Sequence, residues 1–211
     1  MKKEEKMRKK AVGFIIAGIL VLVFGLVSTP ARAEVSLGLV GGYYSPNFGE
    51  INDYLADYYG TDLKFEAREM YELAVGFDVT PHFRLRLEYQ DFQSKTRGMG
   101  TYFDSYSWYK WTLTTTPLIL SAIYRATPFY MGAGVGSFPT RVEVSGTQIG
   151  SDRDSPIGFV VLAGLEFMGE EEIFLNLEAR YVSAEADLDE FGTKVDLSGF
   201  QVCVTTGLKF K

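Results

Sequence analysis

The sequence is short of the residue types on which most enzymes and metal proteins rely. Its 211 residues include one cysteine, Cys203, and one histidine, His82. A single cysteine excludes an intrachain disulfide, and a single histidine excludes a metal site built on a histidine pair. Basic side chains are also scarce outside the N-terminus. Seven of the 21 Lys and Arg, with two acids, fall in the first 33 residues, so residues 34–211 hold 14 bases against 25 acids, a formal charge of −11. That balance speaks against a nucleic-acid partner, because affinity for phosphate backbones rests on a basic face. Beyond residue 27 no apolar run is long enough to cross a bilayer as a helix. Glycine (22 residues) and aromatics (15%) are plentiful instead, a combination that leans toward β-structure.

The N-terminus reads as an address. Residues 1–10 are charged and mostly basic, residues 11–27 are 17 uninterrupted apolar or small residues, and Ala31-Arg32-Ala33 follows as an A-x-A cleavage pattern. This is the tripartite form of a secretory signal peptide. Residues 1–33 are therefore expected to be removed, with cleavage between Ala33 and Glu34, leaving 34–211 as the folded domain. The competing reading is an uncleaved anchor, since 17 residues touch the lower limit for a spanning helix.

The rest of the chain alternates with period two, the pattern of strands with unlike faces. Eight such runs are expected: 35–44, 69–79, 83–93, one within 111–124, 129–138, 157–167, 173–181 and 199–210. In the third, Phe83, Leu85, Leu87 and Tyr89 alternate with Arg84, Arg86 and Glu88. In the seventh, Leu175, Leu177, Ala179 and Tyr181 alternate with Asn176, Glu178 and Arg180. Connections at 80–82, 125–128 and 168–172 are short, while those at 45–68, 94–110, 139–156 and 182–198 run from 17 to 24 residues. Short and long alternate without exception. A closed up-and-down barrel would put every short turn at one end and every long loop at the other, as outer-membrane barrels do, with turns in the periplasm and loops outside. Each run is near the length a tilted strand needs to cross the hydrocarbon. Aromatics bracket the runs at both ends (Phe83 and Tyr89, Trp111 and Tyr124, Phe129 and Phe138, Phe159 and Phe167, Phe200 and Phe210), as expected of two interfacial girdles. A soluble ligand-binding barrel would show the same alternation with its faces reversed; export and the loop rule favour lipid. In the fourth run the apolar phase moves from odd numbers (Trp111, Leu113) to even ones (Leu118, Leu120, Tyr124), which suggests a β-bulge near Thr116–Pro117. The fold class expected is all-β: an eight-stranded antiparallel up-and-down transmembrane β-barrel.

Several segments, taken in order, carry a resemblance. Pro128-Phe129-Tyr130-Met131-Gly132-Ala133-Gly134-Val135-Gly136 is similar to a P-Y-V-G-A-G-V-G strand. With Gly164-Leu165-Glu166-Phe167, Leu177-Glu178-Ala179-Arg180-Tyr181 and Gly207-Leu208-Lys209-Phe210, it resembles the small eight-stranded outer-membrane barrels of OmpA-like, OmpW-like and opacity-protein type. The resemblance covers residues 34–211. It implies the outer membrane of a double-membraned bacterium, contact with its lipid, and handling by the barrel-assembly machinery through the strand ending at Phe210. A monomer is expected, and the extracellular ligand is left open. Two departures are that Lys211 follows the terminal aromatic and that no peptidoglycan-binding domain follows the barrel.

No cofactor is expected. Gly132-x-Gly134-x-Gly136 has the wrong spacing for a dinucleotide loop and no following helix. The run Asp187-x-Asp189-x-Phe191-Gly192 has Phe at the fifth position and Ser198 at the twelfth, where a calcium loop needs a bidentate Glu. His82 stands in a turn and Cys203 shares a face with Gln201 and Thr205, so neither is expected to be catalytic. The residues singled out are structural. On the inward faces, Glu72, Asp78, Glu88, Glu166 and Glu178 face Arg84, Arg86, Arg180 and Lys209, and these are expected to pair across neighbouring strands, in space left by the row Gly132, Gly134 and Gly136. Val40, Val160 and Leu162 share the same face, so an apolar trough stays open as an alternative. In the first long connection, Asn47 with Glu50, and Ile51, Tyr54, Leu55 and Tyr58 at helical spacing up to Gly60, predict a short amphipathic helix over 49–59, lying on the rim as a lid or offering a surface to a partner or to lipid. Function is expected to be structural or surface-interacting through the loops; the alternative is a small transporter or binder of apolar molecules, and a third reading is a lipid-modifying barrel enzyme.

If the leader is removed where expected, N-terminal sequencing of protein from the membrane fraction returns Glu34 as the first residue; Met1 in its place would refute the cleavage.

Overall fold

The computed structural model describes residues 34–59, 63–102, 105–146, 150–168 and 172–210. The expected leader, up to Ala33, lies outside them, as does Gly60. In chain order the elements are β1 (Glu34–Pro46), α1 (Gly49–Tyr59), β2 (Arg68–Thr80), β3 (Phe83–Tyr102), β4 (Ser105–Thr115), β5 (Leu118–Ala126), β6 (Phe129–Ser137), β7 (Thr140–Gly146), β8 (Gly150–Asp154), β9 (Ile157–Met168), β10 (Ile173–Ser183), β11 (Glu185–Leu188), β12 (Thr193–Asp196) and β13 (Gly199–Phe210). Eight of the strands close a ring of antiparallel neighbours in the order β1, β2, β3, β5, β6, β9, β10, β13 and back to β1. The closing ladder runs from Val35 opposite Phe210 to Pro46 opposite Gly199.

The long connections are not irregular. β3 continues to Tyr102 and pairs its second half with β4, which pairs with β7, which pairs with β8. β11 and β12 form a hairpin of their own. Register passes through every interruption unchanged. Thr115 opposes Phe92 and Leu118 opposes Tyr89, three residues on along each strand. Thr115 opposes Thr140 and Leu118 opposes Ser137, again three and three. No bulge is therefore present at Thr116–Pro117, and the sequence expectation is corrected; among the described residues the ring's register shift lies between Asp78 and Thr80. The breaks are prolines. Pro117, Pro139 and Pro156 have no N–H to give, yet each carbonyl still accepts from the strand beside it: Gln90 N–H to Pro117 O at 3.0 Å, Thr116 N–H to Pro139 O at 3.0 Å, and Phe138 N–H to Pro156 O at 2.8 Å. Each pair keeps one of two ladder bonds and the wall stays continuous.

The apparent phase change has another cause. Trp111, Leu113, Thr115, Ile119, Ser121 and Ile123 are all buried, so odd numbers point inward throughout. The face that is apolar changes, not the face that points in. Around the ring the outward side chains are Leu37 and Leu39, Tyr71 and Leu73, Phe129 and Met131, Phe159 and Val161, Leu175 and Leu177, and Val202 and Val204, all exposed. Beyond the breaks, the outward positions become Lys110, Arg141, Glu143, Arg153, Glu185 and Lys194, and the inward ones become Trp111, Leu113, Val142, Val144, Leu188 and Val195. One set of strands thus obeys two opposite polarity rules. The change marks where the medium outside turns from hydrocarbon to water. Two of the expected girdle aromatics, Trp111 and Phe138, belong to the water-side pattern and are buried inside.

The upper part is a dome with its own apolar core. α1 closes it. Ile51 and Leu55 are fully buried with Phe48, Phe65 and Phe92, and Tyr54 meets Trp111 at 6.4 Å between ring centroids. Asn47 Oδ1 accepts from Gly49 N–H at 3.4 Å and its amide donates to Asp196 at 2.9 Å, tying the helix start to β12. Asn52 fixes the return of the chain by accepting from Phe65 N–H at 2.7 Å and donating to Phe65 O at 3.2 Å. The apolar stripe of α1 points into the dome, as a lid does.

The polarity rule has a direct test by denaturant unfolding in vesicles. Leu177→Arg, at the middle of the lipid-facing run of β10, is expected to cost about 2–4 kcal/mol. Thr112→Arg, outward on the dome, is expected to stay within about 0.5 kcal/mol of wild type.

Candidate functional site

Below the proline row the lumen is filled with charge. All nine residues expected in the network point inward, each no more than 7% exposed. They form two tiers. In the tier nearer the short turns, Arg84 donates to Asp78 through Nε (2.5 Å) and through a terminal nitrogen (3.1 Å), and reaches Glu166 at 3.2 Å. Lys209 Nζ donates to Glu166 at 2.9 Å and sits 5.7 Å over the ring of Phe174. In the second tier Arg86 makes a two-pronged contact with Glu178, 2.8 and 3.0 Å, and lies 2.8 Å from Glu88. Arg180 holds Glu72 by two bonds, 2.6 and 3.0 Å, lies 2.9 Å from Glu88, and also donates to Glu178. Ser121 adds a hydroxyl donor to Glu88 at 3.0 Å.

Two features differ from the expectation. The pairs are not mainly between neighbouring strands. Asp78 and Arg84 are register partners on β2 and β3, but Arg86 on β3 meets Glu178 on β10, and Arg180 on β10 meets Glu72 on β2, straight across the lumen. A guanidinium on a long stem reaches the opposite wall of so narrow a barrel. The second difference is Arg125, which the sequence reading left in a turn. It is the end of β5, donating to Asp78 at 2.6 Å and to Glu166 at 2.7 Å. Its odd number, in phase with Ile119, Ser121 and Ile123, was the available signal. With Arg125 counted, five carboxylates meet five cations: two acids with three bases in the first tier, three acids with two bases in the second.

The glycine row also acts differently. A Cβ at Gly132 or Gly136 would stand 2.5–2.6 Å from a carbonyl oxygen of β5, and one at Gly134 would stand 2.5 Å from Ser121 Oγ. These glycines let β5 and its side chains approach; the room for an arginine comes from Gly76, where a Cβ would lie 3.1 Å from Arg84 Cδ. Above the charges come Gln90 and Gln201, joined at 3.3 Å, while buried Cys203 and Thr205 lie lower on β13, opposite Glu178 and Asn176. The apolar core of the dome reaches down beside the second tier, to Val40, Ala74 and Ile119, which oppose Glu72 and Glu88 in register. Val40 and Val160 belong to that core, whereas Leu162 sits in a separate cluster with Ile123 and Tyr130. The buried apolar residues do not form one trough.

His82 is exposed in its turn, stacked on Tyr124 at 6.2 Å, with Nδ1 3.2 Å from Arg125 O. Phe191 packs inward on Trp111 at 5.3 Å, and Asp187 lies 3.5 Å from Lys194 Nζ. Lys194 donates to Glu185 at 2.6 Å, which raises its pKa.

A family model described as "outer membrane protein beta-barrel domain" matches residues 19–206. No curated protein matches the chain. Among solved structures, the chain is similar to the outer membrane protein OprG from Pseudomonas aeruginosa (11% identity, 84% of this chain and 96% of that chain, TM-score 0.52). It is also similar to Ail, the attachment invasion locus protein of Yersinia pestis, solved with the heparin analogue sucrose octasulfate (14%, 84% and 99%, TM-score 0.49). A third is the outer membrane protease OmpT from Escherichia coli (10%, 86% and 97%, TM-score 0.38). At these identities the likeness concerns the fold alone, and the roles differ from one to the next.

The tiers predict unequal responses to mutation. Arg180→Ala orphans carboxylates in a fully buried position and is expected to cost about 3–5 kcal/mol in vesicle unfolding. Glu88→Gln removes one of three acids served by two guanidiniums and should cost much less, about 1 kcal/mol. Equal losses in the two variants would mean that charge pairing does not govern lumen stability.

Proposed function

Since the chain belongs to the outer membrane protein beta-barrel family, we propose that it is a closed anchor in that membrane whose work is done by the dome, as a structural or surface-interacting protein. The chain is an outer-membrane protein and sits in lipid; the finer reading is carried by one observation, the paired charge that spans the lumen between β2, β3, β5, β9, β10 and β13. Charges paired at 2.6–3.0 Å across a narrow lumen argue against a continuous path for ions or solutes. The dome stands on the side of the long connections, outside the cell, and the three short turns face the periplasm. The protein acts as a monomer delivered by the assembly machinery through β13, after removal of residues 1–33. It is not an enzyme in this reading: His82 and Cys203 are apart, the one in an exposed turn and the other buried in the wall, and the lumen carboxylates are engaged with arginines.

A second reading, uptake of apolar molecules, is supported by the apolar interior of the dome. It requires a way past Gln90, Gln201 and the tiers beneath them, or out through the wall at the proline row, where each pair still holds one backbone bond.

Planar bilayers containing the purified protein are expected to show no steady current. Protease added to intact cells should cut within the dome and not at Pro81–His82 or after Arg125. A large stable pore would hand the lead to transport, and cuts at the short turns would reverse the orientation.

A further inference from the structure

Residues 34–211 carry 14 bases. Five lie in the lumen: Arg84, Arg86, Arg125, Arg180 and Lys209. Five more, Lys95, Arg97, Lys110, Arg141 and Arg153, stand on one surface, the outward face of the β3–β4–β7–β8 sheet, and all are exposed. Register sets like charges directly opposite one another twice: Arg97 faces Lys110, and Arg141 faces Arg153. Such pairs destabilise a sheet. Two acids share that face: Asp91, lower on β3, and Glu143, which is taken by Arg141 at 2.7 Å. Among the described residues no carboxylate lies within ion-pair distance of Lys95, Arg97, Lys110 or Arg153. A groove of about 620 Å³ runs over the same face, lined by Lys110, Thr112, Arg141, Glu143, Ser151 and Glu190. In a chain with excess acid nearly everywhere else, an unneutralised basic strip calls for an anion.

Position decides which anion. The side chains point sideways, out from the wall, so a ligand on the strip lies beside the dome and not on top of it. The strip also stands directly above the lipid-facing band. From Tyr89, an exposed aromatic on that band, Gln93 is four residues up β3 and Arg97 eight. At about 3.3 Å per residue and a tilt near 40°, the strip covers roughly 10–20 Å above the hydrocarbon edge. A phospholipid headgroup layer is only about 5–8 Å deep on each side, too shallow to reach Lys110 and Arg97. We propose that the strip holds the phosphorylated saccharide headgroup of a neighbouring outer-leaflet glycolipid, lying alongside the dome, with its phosphates between the Arg141–Arg153 row and the Arg97–Lys110 row. This rests on the dome facing outward, and it gives the surface-interaction reading a partner within the membrane itself.

The chain supplies its own reporter. Of its two tryptophans, Trp111 is buried, while Trp108 is 65% exposed and shares the outward face of β4 with Lys110. The protein isolated from membranes would be placed in phosphatidylcholine vesicles, plain or containing a minority of a bis-phosphorylated lipopolysaccharide with a short sugar core, and acrylamide quenching of Trp108 followed. Quenching should fall when the glycolipid is present and recover in high salt. In Lys95→Ser, Arg97→Ser, Lys110→Ser and Arg153→Ser variants, glycolipid affinity should drop about fivefold for each charge removed. Heat-modified gel mobility reports independently that each variant is folded. Undiminished protection with phosphatase-treated glycolipid, or in the variant lacking all four charges, would overturn the proposal. Equal protection in plain vesicles by the water-soluble phosphorylated core saccharide would overturn the membrane source. The vesicles carry glycolipid in both leaflets, so the result does not depend on sidedness in the cell. A negative outcome therefore leaves the closed-lumen reading to its own current and protease tests.

Discussion

Backbone hydrogen bonding in a medium without water governs this structure. A strand in hydrocarbon has nowhere to place its N–H and C=O groups except on another strand, so a sheet in lipid must close. Here β13 returns to β1 and the ladder has no open edge within the lipid-facing band. Closure with eight strands then sets the width of the lumen to about that of the side chains filling it. The cross-lumen pairs follow from that width: Arg86 and Arg180 reach carboxylates on the opposite wall because the wall is one side-chain length away.

The charged filling has a second consequence. Ion pairs of this kind offer little net stability over a well-packed apolar core, because both partners must first leave water. They do discriminate between registers. A slip of one residue in β3 or β10 would turn Arg84, Arg86 and Glu88, or Glu178 and Arg180, out into lipid and bring leucines into the lumen. With apolar side chains on both faces, that slip would cost far less. The polar interior therefore selects one alignment of the strands around the ring, and Gly76 and the Gly132–Gly136 row remove the steric obstacles to it.

Above the membrane the same strands meet water, and the logic inverts without any change of register. Apolar side chains move inside, α1 covers them, and polar ones move outside. The outward basic strip is the exception that this inversion does not explain. Solvation asks only for polar residues there, and the like-charge pairs Arg97–Lys110 and Arg141–Arg153 go against sheet stability. Their placement on the outer wall just above the lipid-facing band ties the strip to what surrounds the barrel.

Strand number, the short and long connections, the inward parity of the nine charged residues and the helix over 49–59 were all legible in the sequence, because each is written in a local period or spacing. Arg125 was missed although its parity was correct, since a turn was drawn two residues too early. The bulge at Pro117 was inferred from a real signal with the wrong cause. A change in which parity is apolar can mean a shift of the chain or a change of the medium around it, and one strand read alone does not distinguish the two. The ion partners were not legible either, because pairing across a closed lumen joins residues 92 and 108 positions apart. The sequence by itself determined which residues share a face and where strands turn. Only the tertiary structure decided which face meets lipid, which charge meets which, and that five scattered bases stand on one wall. Those depend on how the ring closes, and closure is a property of all eight strands at once.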